Sequence, residues 1–316
     1  MPGLHTAADR AQAFRDAFLH ACALDVHARK PGNVSTASPG HRMTADDFLR
    51  SAAAAAAPLA APGARTGARI EAAIVATRAA VGCNTNLGIV LLCAPIARAW
   101  ERCDAIAARG DAPPLRAALE AELAALDLED ARGAYRAIAL AQPAGLGRAP
   151  REDIADAPTL DLRAAMALAA GRDRIAAQYA GGFADVFEAA RTAWGRDDAS
   201  RPGLARSDPE AARETADVRA MQRTFLAFLS AAPDSHIVRK HGDALAQTVM
   251  AEAAPWHARA ASGDDVGRDP AFAAWDESLK SRGLNPGTSA DLCVAAALVA
   301  ALSAPPERDS RASLCC

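Results

Sequence analysis

Residues 44–81 read TADDFLRSAAAAAAPLAAPGARTGARIEAAIVATRAAV, and the fold follows from how this stretch is built. Thr44 with Asp47 three residues on is a capping box, which satisfies the exposed N–H groups at a helix start. The alanines that follow are the strongest helix formers, so a helix is predicted to about Leu59. Pro62-Gly63 breaks it, and a second helix is predicted from Thr66 to Val81, where Gly82 ends it. Nothing here alternates β-branched and polar residues as a half-buried strand would. Upstream, residues 6–28 place Phe14, Phe18, Ala21, Cys22 and Asp25 on one helical stripe. Downstream, helices are predicted over 85–108, 114–126, 128–141, 160–180, 182–195, 209–231, 236–253, 270–282 and 288–303. Residues 142–158, rich in Pro and Gly, form the clearest loop, and 196–207 a second polar connection. No repeat or sustained heptad is present. The expectation is one all-α, multi-helical domain over 1–316, with roughly 10–12 helices and flexible ends at 1–5 and 304–316.

The 316 residues are 51% hydrophobic and 23% charged, with a net charge of −3, so no broad field favours nucleic acid or an anionic membrane. Aromatic residues at 4% leave few platforms for stacking bases. The N-terminal stretch MPGLHTAADRAQAF lacks an apolar signal core. The longest uncharged apolar runs, Ser51–Ala64 and Leu292–Pro305, fall short of the ~20 residues that span a bilayer. The expectation is a cytoplasmic protein with no membrane or nucleic-acid partner. Seven cysteines, at 22, 83, 93, 103, 293, 315 and 316, form no CxxC pair, and most read as small buried thiols.

Only Lys30, Lys240 and Lys280 interrupt the arginines, and asparagine stands only at 33, 84, 86 and 285. All four asparagines fall in glycine-containing strings: KPGNVS (30–35), CNTNLGI (83–89) and LNPGTSADL (284–292). Each string reads as an ordinary turn with a helix cap. Each also reads as a phosphate-binding corner, because first-turn N–H groups and the helix dipole favour an anion. KPGNVS would offer Lys30 and backbone N–H groups, with His41 nearby as an acid or base. Asn84 or Thr85 would cap one helix and Thr288 another. Glu71, Asp25, Asp173, Asp243 and Asp291 lie on predicted helices, where carboxylates are either solvated or held by a cation; Mg²⁺ prefers such oxygens. His236 and His241 lack the zinc-hydrolase spacing, and neither a Walker A, a G-x-S-x-G nor a dinucleotide glycine motif occurs.

KPGNVS, His41-x-Met43, Thr77 with the Asn84-Thr85-Asn86-Leu87-Gly88 turn, and LNPGTSADL together resemble the triphosphoribosyl-dephospho-coenzyme A synthase family, and span about residues 21–303 in order. The resemblance implies an all-α enzyme that transfers the triphosphoribosyl group of ATP to the 2′-hydroxyl of 3′-dephospho-coenzyme A and releases adenine. It implies Mg²⁺ as cofactor, with a homodimer open as the assembly. It points to Glu71, Asp291 and His41 as catalytic and to Glu71 and Asp291 as metal ligands. Lys30, Pro31, Gly32, Asn33, Thr77, Asn84, Thr85, Gly88, Pro286, Gly287 and Ser289 are then the expected binding residues. The chain departs from the family in places: Asn86 and Leu87 stand where synthases of the citrate lyase type carry His and Lys, His41-Arg42-Met43 stands for the usual H-x-D-M turn, and the A-R-G-E-A-x-x-G-F-P pattern is missing. The segment 160–183 resembles a divergent branch that accompanies tetrahydromethanopterin-linked one-carbon metabolism. Three readings therefore stay open from sequence: the named transferase, a nucleotide- or phosphoribosyl-dependent enzyme of another cofactor pathway, and a non-enzymatic binding protein.

Overall fold

The computed structural model describes residues 6–103, 114–195 and 209–303. Among these residues the chain forms fourteen α-helices and no strand, only two isolated bridges, Ser35 with Ser38 and Gly40 with Met43. The helices are α1 (Ala7–His27), α2 (Ala45–Leu59), α3 (Thr66–Val81), α4 (Leu87–Glu101), α5 (Pro114–Ala125), α6 (Leu128–Ala141) and α7 (Leu162–Ala169). They continue with α8 (Arg174–Ala180), α9 (Ala184–Trp194), α10 (Pro209–Ala231), α11 (Ser235–His241), α12 (Asp243–Ser262), α13 (Pro270–Ser281) and α14 (Gly287–Ser303); a 3₁₀ turn, Val266–Arg268, precedes α13.

The capping box at α2 forms as expected, with the Thr44 N–H donating to Asp47 Oδ2 at 2.8 Å. The helix expected over 160–180 is two helices, because Asp173 accepts from the N–H groups of Ile175 and Ala176 and so starts α8 afresh. The one expected over 236–253 is likewise divided by Gly242, at φ 89°, and α12 runs on to Ser262. α4 begins two residues later than expected, at Leu87, with the Asn84 side chain accepting the Leu87 N–H at 3.2 Å. The expected ends at 1–5 and 304–316, the continuation of α4 through 104–108, the connection 196–207 and Cys315–Cys316 lie outside the described residues.

Two helices are apolar all round and form the centre. α14 buries every residue from Leu292 to Val299, and α4 every residue from Leu87 to Ala97. α14 packs against α1, α4, α9 and α10, and α4 also lies on α3 and α5. Pro95 sits inside α4 and lacks the N–H that would pair with the Leu91 carbonyl four residues back. Tyr179 of α8 fills that vacant bond, its hydroxyl donating to Leu91 O at 2.6 Å from a fully buried position. Around this centre α2 packs on α3 and α3 on α6. The α3–α6 crossing is set by two glycines: a Cβ on Gly133 would stand 2.5 Å from Gly67 O, and one on Gly67 would overlap the Asp130 carbonyl. Cys22, Cys93, Cys103 and Cys293 are buried free thiols, as expected, and Cys83 is half-buried. No helix among the described residues is long and apolar enough to cross a membrane.

Gly→Ala in an exposed helix stabilises by about 0.5–1 kcal/mol. At Gly67 or Gly133 the sign reverses, and a loss of about 1–3 kcal/mol is expected, read from the urea midpoint. Tyr179→Phe leaves the buried Leu91 carbonyl unpaired and is expected to cost about 1–3 kcal/mol in the same assay.

Candidate functional site

The N-terminal turns of α4 and α14 meet at the floor of a cleft of about 440 Å³, a size ordinary for small-molecule sites. Asp25, at the end of α1, and Asn33 form one wall. Asn84, Thr85, Leu87 and Gly88 come from the turn before α4, and Asn285, Gly287, Thr288 and Asp291 from the start of α14. The three asparagine strings of the sequence therefore face one cavity. The remaining wall is the 143–154 loop, the α7–α8 corner and α11, which bring Asp173, Arg172, Arg151, His236 and Arg239. Met43, Phe48, Leu146, Ile154 and Leu168 give an apolar lip.

Gly88 explains how the floor closes. Its Cα lies under the Asp291 carboxylate, so a Cβ there would overlap Asp291 Oδ2 and stand 2.7 Å from Ile175 Cδ1. Asp291 has no hydrogen-bond or ion-pair partner among the described residues. Burial, then the neighbouring carboxylates of Asp25, Asp234 and Asp173, push its carboxyl well above the usual range. Asp25 is raised by burial too, opposed by Lys30, whose ammonium lies 3.0 Å from Asp25 Oδ1 and also donates to the Asp25 carbonyl. Asp234 anchors two helices at once. Its Oδ2 accepts from Ser289 N at 2.7 Å and Ser289 Oγ at 2.8 Å, and its Oδ1 from the His236 and Ile237 N–H groups. Opposite this acidic floor, Arg239 reaches Asp173 at 3.5 Å, while the guanidinium groups of Arg151 and Arg172 line the cleft with no ion-pair partner among the described residues.

Of the residues expected at a site, Asp291, Asn33, Asn84, Thr85, Gly88 and Gly287 line the cleft. The others stand behind it. Lys30, expected on phosphate, is fully buried and committed to Asp25. Gly32, at φ 81°, has no room for a Cβ, which would stand 2.8 Å from Pro286 Cδ and 2.6 Å from Leu284 O; Pro31–Gly32 and Pro286 thus lock the first loop to the third. The Gly32 N–H donates to Asp276 Oδ1 at 2.9 Å, and the buried Asp276 also holds Arg29 and Lys280. His41 and Arg42 both adopt left-handed backbone in the tight turn between Gly40 and Met43, and His41 Nε2 sits 2.7 Å from Gly32 O. His41 therefore clamps the loop from outside. Thr77 accepts from Asn86 Nδ2 at 3.1 Å and steadies the turn before α4. Glu71 is not on the cleft wall: it makes a bidentate pair with Arg136 of α6, both bonds 2.6 Å, so the expected pairing of Glu71 with Asp291 at a metal is not formed. Among the described residues no group of three or more His, Cys, Asp or Glu is arranged around a common point.

Sequence reading missed Asn285, His236, Arg151, Arg172 and Arg239 as site residues. Asp25 carried a signal, a carboxylate on an apolar stripe. The arginines carried none, being surrounded by others of their kind.

His236 sits against Gly287, whose Cβ would stand 2.9 Å from His236 Nδ1. Burial, then Arg239 and Lys240, push its imidazole down to about 3. The folded value lies below the ordinary ~6.5, so the unfolded chain takes up a proton first as pH falls. The stabilising share of His236 is thus complete above about pH 6.5 and is lost progressively toward pH 3. Wild type is expected to lose more stability between pH 7 and 4.5 than His236→Asn, compared by urea unfolding at each pH.

The CitG family model, ATP:dephospho-CoA triphosphoribosyl transferase, matches residues 11–310. Among solved structures, an Archaeoglobus fulgidus protein assigned as a triphosphoribosyl-dephospho-coA synthase shares the fold, with TM-score 0.56 and 21% identity, over 81% of this chain and 98% of that one. No curated protein matches.

Proposed function

The chain belongs to the ATP:dephospho-CoA triphosphoribosyl transferase family, and we propose that the cleft at the meeting of α4 and α14 is where the transfer takes place. The observation that carries this reading is that Asp291, Arg151 and Arg172 line one cavity and none of them has an ion-pair partner among the described residues.

ATP presents a polyanion and an anomeric carbon. Arg151, Arg172 and Arg239 suit the triphosphate, which arginine binds with paired N–H donors. The N–H groups at the starts of α4 and α14 add fixed positive ends on the floor. The apolar lip of Met43, Phe48, Leu146 and Leu168 suits the pantetheine arm of the acceptor. In the transfer the C1′–N9 bond of ATP breaks, its electron pair leaving on adenine, and a bond forms from C1′ to the acceptor 2′-oxygen. Positive charge builds on the ribose meanwhile, as in glycoside hydrolysis. Asp25, held by Lys30, takes the hydroxyl proton, which adenine finally carries away. Lys30 is a positioning residue here, and His41, Thr77, Pro31 and Ser289 hold the loops. Asp291, with Asp25 beside it, fits Mg²⁺, which favours one or two carboxylates shared with substrate phosphates. Such an ion would supply charge to the triphosphate when bound. The reaction belongs to the cytoplasm, where ATP is plentiful.

The test is adenine released from ATP and Mg²⁺ with and without dephospho-coenzyme A, read by liquid chromatography and mass spectrometry. Adenine with a matching mass gain on the acceptor is expected, and Asp291→Asn should lower turnover by about 10²-fold or more. Turnover unaffected by Asp291→Asn would remove the cleft from the reaction.

A further inference from the structure

Asn33 and Asn285 reach the cleft from the first and third loops, and they meet there. Asn33 Nδ2 donates to Asn285 Oδ1 at 3.0 Å, and the two residues are 4% and 8% exposed. The reciprocal bond is not made: Asn33 Oδ1 is buried and has no hydrogen-bond partner among the described residues. Asn285 Nδ2 also has none among the described residues, and lies 3.7 Å from the position a Cβ of Gly287 would take, beside His236 Nδ1. An amide pair joined by a single bond leaves one carbonyl oxygen and one whole amino group uncommitted, besides the second N–H of the donating amide, whichever way both amides are turned. A buried acceptor left unpaired costs about 1–3 kcal/mol, and proteins rarely keep one without a reason.

A matching ligand needs a donor and an acceptor side by side. Phosphate offers acceptors only. A trans amide, such as those of a pantetheine arm, points its N–H and C=O to opposite sides and satisfies one partner. The N6-amino group and N7 of adenine lie on one edge, the edge that asparagine reads by paired hydrogen bonds in nucleic acids.

We propose that the Asn33–Asn285 pair reads the N6/N7 edge of an adenine ring, Asn33 Oδ1 accepting from N6 and Asn285 Nδ2 donating to N7. This rests on the proposed transfer in the same cleft. Both substrates of that reaction carry adenine, and the two sources have different consequences. At the ring of ATP, a donor on N7 meets the negative charge that the departing base acquires, so Asn285 would assist departure as well as recognition. At the ring of the acceptor it would only bind.

The experiment compares wild type with Asn33→Leu, which is close in size and removes the acceptor that reads N6; circular dichroism and thermal melting confirm that the variant folds. ITP replaces ATP in one arm, and the hypoxanthine analogue of dephospho-coenzyme A replaces the acceptor in another. Wild type is expected to prefer adenine over hypoxanthine by about 5- to 150-fold in kcat/KM in one arm. Asn33→Leu should bring that preference toward unity, because hypoxanthine differs from adenine at position 6 and keeps N7. A preference confined to the ITP arm, with kcat falling more than KM rises, assigns the pair to ATP; one confined to the acceptor arm assigns it to dephospho-coenzyme A. Free adenine and hypoxanthine are also titrated by calorimetry, a readout independent of turnover. Selective adenine binding lost in Asn33→Leu upholds the base-reading pair even if no transfer occurs, in which case only the proposed reaction falls. A wild type with no base preference in any arm, or a folded Asn33→Leu protein whose preference equals that of wild type in every arm, would overturn the proposal.

Discussion

The N-terminal turns of α4 and α14 meet so closely at Gly88 that any side chain there would run into the Asp291 carboxylate. That approach is available only because both helices are apolar on every side and lie in the centre of the bundle. Their starts carry the polar groups that face the cleft and deliver them together at one end, while the charged pair Arg98–Glu101 of α4 lies at its opposite end. The other helices pack outside this pair and contribute loops to its polar end. A bundle with a conventional amphipathic helix at either position would place charge along its length and solvent behind it.

Placing carboxylates over such a floor is costly, since removing a charge from water is offset only by partners or a bound cation. The chain meets this in different ways for different acids. Asp234 is surrounded by four donors from two helices and is a structural knot. Asp276 does the same for the first loop, through Gly32, Arg29 and Lys280. Asp25 is matched by one buried ammonium, and Asp291 by no partner among the described residues. This gradation, from fully satisfied to unsatisfied, runs from the scaffold toward the cavity, and strongly perturbed groups collect where chemistry is done.

The helices were legible because their signals are local. Capping residues, alanine runs and Pro-Gly breaks fix α2 and α3 to the residue, since each depends on neighbours within one turn. Two divisions were missed for the converse reason: Asp173 and Gly242 interrupt patterns whose apolar periodicity carries straight on. At the site, asparagine scarcity in an arginine- and alanine-rich chain pointed to three strings that do converge, although periodicity holds no information on which helix ends meet. Lys30 and Glu71 show the limit. Both are charged residues near binding motifs, and only three-dimensional neighbours reveal that one is sealed against Asp25 and the other paired with Arg136 on the outside. Arg151 and Arg172 are unremarkable in sequence and become significant by lining the cleft with no ion-pair partner among the described residues.

The cleft joins two materials. Its floor is the first turns of the most deeply buried helices, while its opposite wall, residues 143–154, is an exposed loop that borrows much of its order from the Asp153 carboxylate, which accepts from the Ala149 and Ala155 N–H groups. Opening events in a folded protein follow such differences, from nearly free at loops to the full cost of unfolding in the centre. Amide exchange along the chain should therefore divide at the cavity itself. The α14 amides from Leu292 to Val299 would report the stability of the whole molecule, and those of 143–154 the comings and goings of whatever the arginines hold.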